Sequence, residues 1–151
     1  MRVTAKVDYA VRAMLVLASH DDGPVKGDAI AAAQGVPFKY LENILGQLRT
    51  AGLVRSQRGG DGGYWLAREA SAISIADVIR AVEGPLATVR GERAEDLDYP
   101  EGSGALQEVW VALRASLRNV LEDVSIEQVS AATLPTQVRR LVEDPDAWTA
   151  Q

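Results

Sequence analysis

The sequence predicts a mostly α-helical fold carrying one small β-hairpin, on three observations. Apolar residues recur at helical spacing in three short segments within residues 1–52. A stretch that begins and ends as strand, "LVRSQRGGDGGYWLAR" at 53–68, follows them and is interrupted by four glycines around one aspartate. The most sustained apolar stripe comes late, between residues 106 and 124, where a small helical core would already be complete.

In the first segment Val7, Ala10, Val11, Met14, Leu17 and Ala18 share one helix face, and the loop "HDDGP" stops it. The brief second helix, "GDAIAAAQG", has Asp28 in its first turn and Gly35 as a left-handed cap. Pro37 suits the first turn of the third helix, whose buried face is Leu41, Ile44, Leu45 and Leu48 and which ends at Gly52. Its other face carries Lys39, Asn43, Gln47 and Thr50, with Glu42 alongside. In the hairpin, Val54, Ser56 and Arg58 alternate with Leu53, Arg55 and Gln57, and Tyr64 to Ala67 form the return strand. Glycines 59, 60, 62 and 63 allow positive φ and close backbone approach at the tip. Three short helices and a hairpin make the arrangement called a winged helix-turn-helix.

Beyond the hairpin, Ser74 can cap the helix "IADVIRAVEG", which Gly84 and Pro85 end. Residues 86–104 have no periodicity and read as a charged surface excursion. Leu106, Val109, Trp110, Leu113, Leu117, Val120, Leu121 and Val124 then form one stripe on a helix of ~5 turns. That stripe needs a large partner surface, and the simplest is the same helix of a second copy, a homodimer contact. The tail "LPTQVRRLVEDPDAW" reads as a short helix packing Val138, Leu141 and Val142 onto the dimer helices. The chain divides into 1–85, the winged unit; 86–104, a loop or sensor segment; 105–131, the dimerisation region; and 132–151, an extension.

Charge is unevenly placed. The net charge is -5, yet residues 1–68 hold nine Lys and Arg against six Asp and Glu, and residues 69–151 hold seven against fifteen. A mildly basic half can face phosphate while the acidic half keeps away. Catalysis has no candidate residues: the single histidine, His20, sits at a helix end, where a cation favours the dipole. There is no cysteine, so disulfides and thiolate-held metals are excluded, and the glycine loop lacks the G-K-[ST] of a nucleotide cradle. No apolar run approaches the ~20 residues of a membrane span and no signal-peptide pattern opens the chain, so a cytoplasmic location is expected.

The polar face of the third helix suits double-stranded DNA. Asn43 can contact adenine, Lys39 guanine acceptors, and Tyr40, Gln47 and Thr50 phosphate; the plain alternative is that this face meets only water. Arg58, with Gly59 and Gly60 leading the tip, suits a narrow minor groove; its plain alternative is an ion pair with Asp61 or another acid. The rival reading is a protein-interaction module in which the winged fold docks a metabolic enzyme or another partner.

Three patches, "DYAVRAMLVLA", "VPFKYLENILGQLRTAGLVRSQRGGDGGYWLAR" and "ISIADVIRAVEG", resemble the Rrf2 family of winged-helix transcription factors, the IscR/NsrR/CymR type. The resemblance covers residues 1 to about 129. It implies a homodimer held by the long helix and binding an imperfect palindrome, as a repressor foremost. It also implies recognition contacts at Tyr40, Glu42 and Asn43, a wing contact at Arg58 and a phosphate contact at Thr4; Lys39 falls where the family varies and is carried over only as a phosphate contact. Iron-sulfur members of the family carry three cysteines in the region that is here 86–104, and this chain has none. Asp8 lies where nitric-oxide-sensing members use a ligand aspartate, and without thiolates it reads as a surface or dimer-contact acid. No iron-sulfur cluster is expected. The chain is then similar to the cysteine-metabolism repressors, whose signal is an enzyme partner; a small-molecule effector is equally open. Arg90 and Arg93 could hold an anion or simply balance nearby acids.

Overall fold

The computed structural model describes residues 2–150, in seven α-helices and one two-stranded antiparallel sheet. The first helix, α1 (Ala5–Ala18), starts where Thr4, in extended conformation, accepts a hydrogen bond from the Val7 amide at 3.2 Å. Ala10, Ala13 and Met14 are fully buried, and Val16 joins them, so two faces are covered where one was expected. The reason is position: α1 is the central rod, touching α2 (Gly27–Gln34), α3 (Phe38–Thr50), the wing and two later helices. Gly35 at φ 63° caps α2 as expected, and Pro37 stands at the N-cap of α3, one position before its first turn. Leu41, Ile44, Leu45 and Leu48 are buried under α3.

The wing is built from β1 (Val54–Gln57) and β2 (Gly63–Leu66), with Arg55 opposite Trp65 and Ser56 opposite Tyr64. Leu53 and Arg58 fall just outside β1. Val25, from the loop before α2, adds a third short rung: its amide and carbonyl both bond Tyr64 at 2.8 Å. The four glycines therefore do two jobs. A Cβ on Gly62 would lie 2.1 Å from the Gln57 carbonyl, and one on Gly63, at φ 152°, 2.6 Å from that of Val25. Gly59 and Gly60 have open space around them.

After a 3₁₀ turn at Ala70–Ala72, α4 (Ile75–Glu83) opens on a capping box in which Ser74 and Asp77 satisfy each other's amides at 3.0 Å. Residues 86–104 depart from the expected surface excursion. Leu86, Ala94 and Leu97 are buried, and the segment is fastened to the long helix α5 (Ala105–Leu121). Gln107 donates to the carbonyls of Glu95 and Leu97 at 3.1 and 3.0 Å, and the Trp110 indole donates to the Tyr99 hydroxyl at 2.9 Å. Arg93 and Arg114 both pair with Glu95, while Arg90 stacks on Tyr99 at 5.6 Å. Arg93 thus balances an acid, and the anion-holding alternative for these arginines gains no support. Its own backbone N–H and then Arg114 hold the Glu95 carboxyl below its ordinary range.

The stripe assigned to one long helix ends earlier than expected. Helix α5 stops at Leu121, and Val124 lies in the following turn, buried against the winged core. The Val124 carbonyl accepts from Ile75, and Ile126 donates to Ile73, both at 2.9 Å. A further helix, α6 (Ile126–Ser130), begins on the Ser125/Gln128 capping box and sets Ile126, fully buried, against α1. The turn is clamped by Glu122, whose carboxyl is held low by Arg80 and then Arg118. Helix α7 (Thr136–Glu143) does not pack Leu141 and Val142 on α5; both are exposed. Since α6 turns the chain back to the core, α7 reaches the end of α5 and the turn after it, where Gln137 donates to the Asn119 carbonyl at 3.0 Å and to the Asp123 carboxylate. Helix α7 also carries the 3₁₀ turn Pro145–Trp148, whose Trp148 indole donates to the Val142 carbonyl.

The glycine geometry makes a stability prediction. Gly62→Ala must displace the Gln57 carbonyl and lowers stability by more than ~1 kcal/mol, whereas Gly60→Ala stays within ~0.5 kcal/mol of wild type. Urea unfolding midpoints read the difference; equal midpoints would contradict it.

Candidate nucleic-acid interface

Helix α3 and the wing tip form one exposed polar surface. Burial of Leu41, Ile44, Leu45 and Leu48 turns Lys39, Glu42 and Asn43 outward. Tyr40 is 40% exposed, and its ring meets that of Tyr9 edge to face, with centroids 5.8 Å apart. Tyr9 in turn lies under the Arg12 guanidinium, which is fixed by the Gln34 side chain at 2.7 Å and by Asp8 at 3.2 Å. Tyr9 and Arg12 therefore position Tyr40, a role the sequence did not disclose, because the contact crosses from α1 to α3. Asp8 is an exposed partner of Arg12.

Gln47 differs from the other α3 candidates. It is half-buried, with its Oε1 buried and unpartnered among the described residues, in a cleft shared with Arg80 and Ala81 of α4. Thr50 gives its hydroxyl proton to the Gly46 carbonyl at 3.0 Å. The Thr4 hydroxyl caps α1 and donates to Glu83, so a phosphate reaching that hydroxyl would compete with a carboxylate.

At the wing tip Arg58 is exposed and has no ion pair among the described residues; Asp61 does not take it. Gly59 and Gly60 are exposed, and their carbonyls accept from the Lys26 ammonium at 3.1 and 2.5 Å. Lys26 thus ties the tip to the start of α2 and places its ammonium on the tip carbonyls that follow Arg58. No local pattern marks it, since 31 residues lie between Lys26 and Arg58 in the chain.

The dimerisation candidates lie together on α5, which buries none of its residues. Leu106, Val109 and Leu113 are exposed; Trp110, Leu117, Val120 and Leu121 are half-buried. Trp110, Leu113, Leu117 and Leu121 also wall an open apolar cavity of about 550 Å³ against Ile79 and Leu86. Among the described residues no helix is long and apolar enough to cross a membrane.

A profile of the Rrf2 family, described as "Iron-dependent Transcriptional regulator", matches residues 3–132. The chain is 52% identical over 145 residues to the HTH-type transcriptional regulator Rv1287 of Mycobacterium tuberculosis, covering 95% of this chain and 90% of that one. It is 37% identical over 134 residues to CymR of Bacillus subtilis, covering 88% and 92%. The structure of that CymR, the global cysteine regulator, superposes with a TM-score of 0.72 at 35% identity, over 88% of this chain and 98% of that one. IscR of T. potens superposes at 0.67 and 35% identity, over 100% and 93%.

The family description names iron, and the residues here do not fit it. The chain has no cysteine, and among the described residues no three His, Asp or Glu side chains gather as a metal site. In the segment 86–104, Glu95 is already held by Arg93 and Arg114.

Replacing Lys26 by methionine keeps the stem and removes the tether. Wing-tip amides, Gly62 among them, are then expected to exchange with solvent several-fold faster, while global stability changes by less than ~1 kcal/mol. Unchanged tip exchange would show that the tether is idle.

Proposed function

Because the chain belongs to the Rrf2 family of transcriptional regulators, we propose that it is a homodimer that binds an imperfect DNA palindrome and represses transcription by occupying it. The observation that carries the reading is the unpaired Arg58 on a tethered, glycine-bare tip beside the outward face of α3, in the basic half of an acidic chain. Two such heads related by a two-fold axis place their α3 helices in successive major grooves, ~34 Å apart.

The residues then have distinct tasks. Asn43 offers a carboxamide to adenine, and Glu42 accepts from the cytosine amino group. Tyr40, steadied by Tyr9, and Lys39 bond the backbone and set the register. Arg58 enters the minor groove, where narrow A/T tracts concentrate negative potential. Apolar pairing through Leu106, Val109, Trp110 and Leu113 holds the two heads at fixed spacing. The segment 86–104 is fastened to α5 through Gln107, Trp110 and Arg114, so a signal acting there tilts the helix against the heads. The signal is not an iron-sulfur cluster, because the sequence supplies no thiolate.

Selection of the purified protein on randomised duplexes tests this. A two-fold motif is expected, with log K falling as log salt rises. Asn43→Ala should cost ~1–3 kcal/mol and relax one position in each half-site. Arg58→Ala should weaken binding at the motif's flanks. No enriched motif together with no salt dependence would overturn the reading in favour of protein docking.

A further inference from the structure

The arginines of this chain differ in what they pair with. Arg12, Arg80, Arg93, Arg114 and Arg118 each pair with an aspartate or glutamate. The others pair with none among the described residues, although acids outnumber bases in the chain, and three of them lie together: Arg49, Arg55 and Arg68. These three line one open groove of about 610 Å³ along β1, with Ser56 and Trp65, and no carboxylate lines it. The sheet has only two strands, and the Val25 rung lies against β2, so this edge of β1 is uncovered.

Every polar side chain of the groove can donate. The guanidinium groups only donate, and the Trp65 indole N–H has no acceptor among the described residues, unlike those of Trp110 and Trp148. Ser56 accepts from Arg49 at 3.1 Å and keeps its own proton to give. Three like charges without a counter-charge, ringed by donors, complement an oxyanion such as a phosphate.

We infer that this groove binds the phosphodiester backbone of the same DNA that the wing tip enters, beside the step occupied by Arg58. The inference rests on the DNA-binding reading above. Continuity selects this occupant: Arg49 ends the recognition helix and is bonded to β1 through Ser56, so the groove extends the reading surface. Arg55 precedes Arg58 by three residues, at most about 10 Å along the chain. The wing then grips DNA at its tip through Arg58 and along its edge through Arg55 and Arg68. The edge contacts add affinity without sequence preference.

The test compares wild type, Arg55→Ala/Arg68→Ala and Arg55→Lys/Arg68→Lys on the selected motif, in duplexes that end at the motif or extend ten base pairs beyond it. Both substituted side chains are exposed, and thermal melts confirm folding. On the extended duplex the alanine pair should lower the slope of log K against log salt by ~0.9 for each phosphate no longer neutralised, with motif preference kept. The lysine pair should restore most of the slope, and on the short duplex the difference should shrink. An unchanged slope in the alanine pair, while Arg58→Ala still impairs binding, would overturn the inference and leave the DNA reading standing. Pyrophosphate binding abolished in the alanine pair with DNA binding unaltered would also overturn it, assigning the groove to a small anion. Failure of wild type to bind any duplex would remove both.

Discussion

A helix of 17 residues that buries none of them sets the terms for this molecule. Val124 and Ile126, past its end, are buried in the winged core and bonded to Ile75 and Ile73 beside α4. The chain is drawn back to that core by two rungs of backbone bonding, and α5 is left standing outside with Leu106, Val109 and Leu113 in water. Burying such side chains contributes about 25 cal/mol per Å² of apolar area. A contiguous apolar face of this kind marks an interface. The proposed pairing with a second copy would cover it without another protein and generate the two-fold arrangement that a palindrome requires.

Charge follows the same division. Acids of the C-terminal half are consumed in fastening it: Glu95 holds the 86–104 segment to α5 through Arg114, and Glu122 clamps the turn after α5 through Arg80 and Arg118. The arginines of the wing and the end of α3 have no such partners among the described residues. An acidic protein can therefore present a basic edge, because a phosphate chain responds to local potential rather than to net charge.

The helices α1 to α4 and the wing were legible because each repeats a local signal, a spacing of apolar residues or a cap such as Ser74. Legibility failed where the deciding contact is distant. Helix α6 carried a readable signal, Ser125 and Gln128, yet Val124 sits in register with the stripe before it and masked the turn. The docking of 86–104 depends on Gln107 and Trp110 reaching back to loop atoms, which no periodicity encodes. In the candidate interface, the structure decided that Arg58 is unpaired among the described residues, and the outward positions of Lys39, Glu42 and Asn43 followed from spacing. The Lys26 tether, the Tyr9 support of Tyr40 and the inward turn of Gln47 did not, since each depends on how α1, α2 and α4 sit against α3 and the wing. The glycines divide for the same reason: Gly62 and Gly63 answer to backbone across the wing, Gly59 and Gly60 to open space.

The central claim is that α5 makes the reading head two-fold. Sedimentation of wild type and of Val109→Glu/Leu113→Glu, with each preparation then offered the selected DNA motif, tests it most directly. Both positions are exposed in the single chain, so the variant retains its fold. A dimeric wild type and a folded monomeric variant that no longer binds the two-fold motif is the predicted result. A wild type that sediments as a monomer, or a variant that remains dimeric and binds as before, would contradict it.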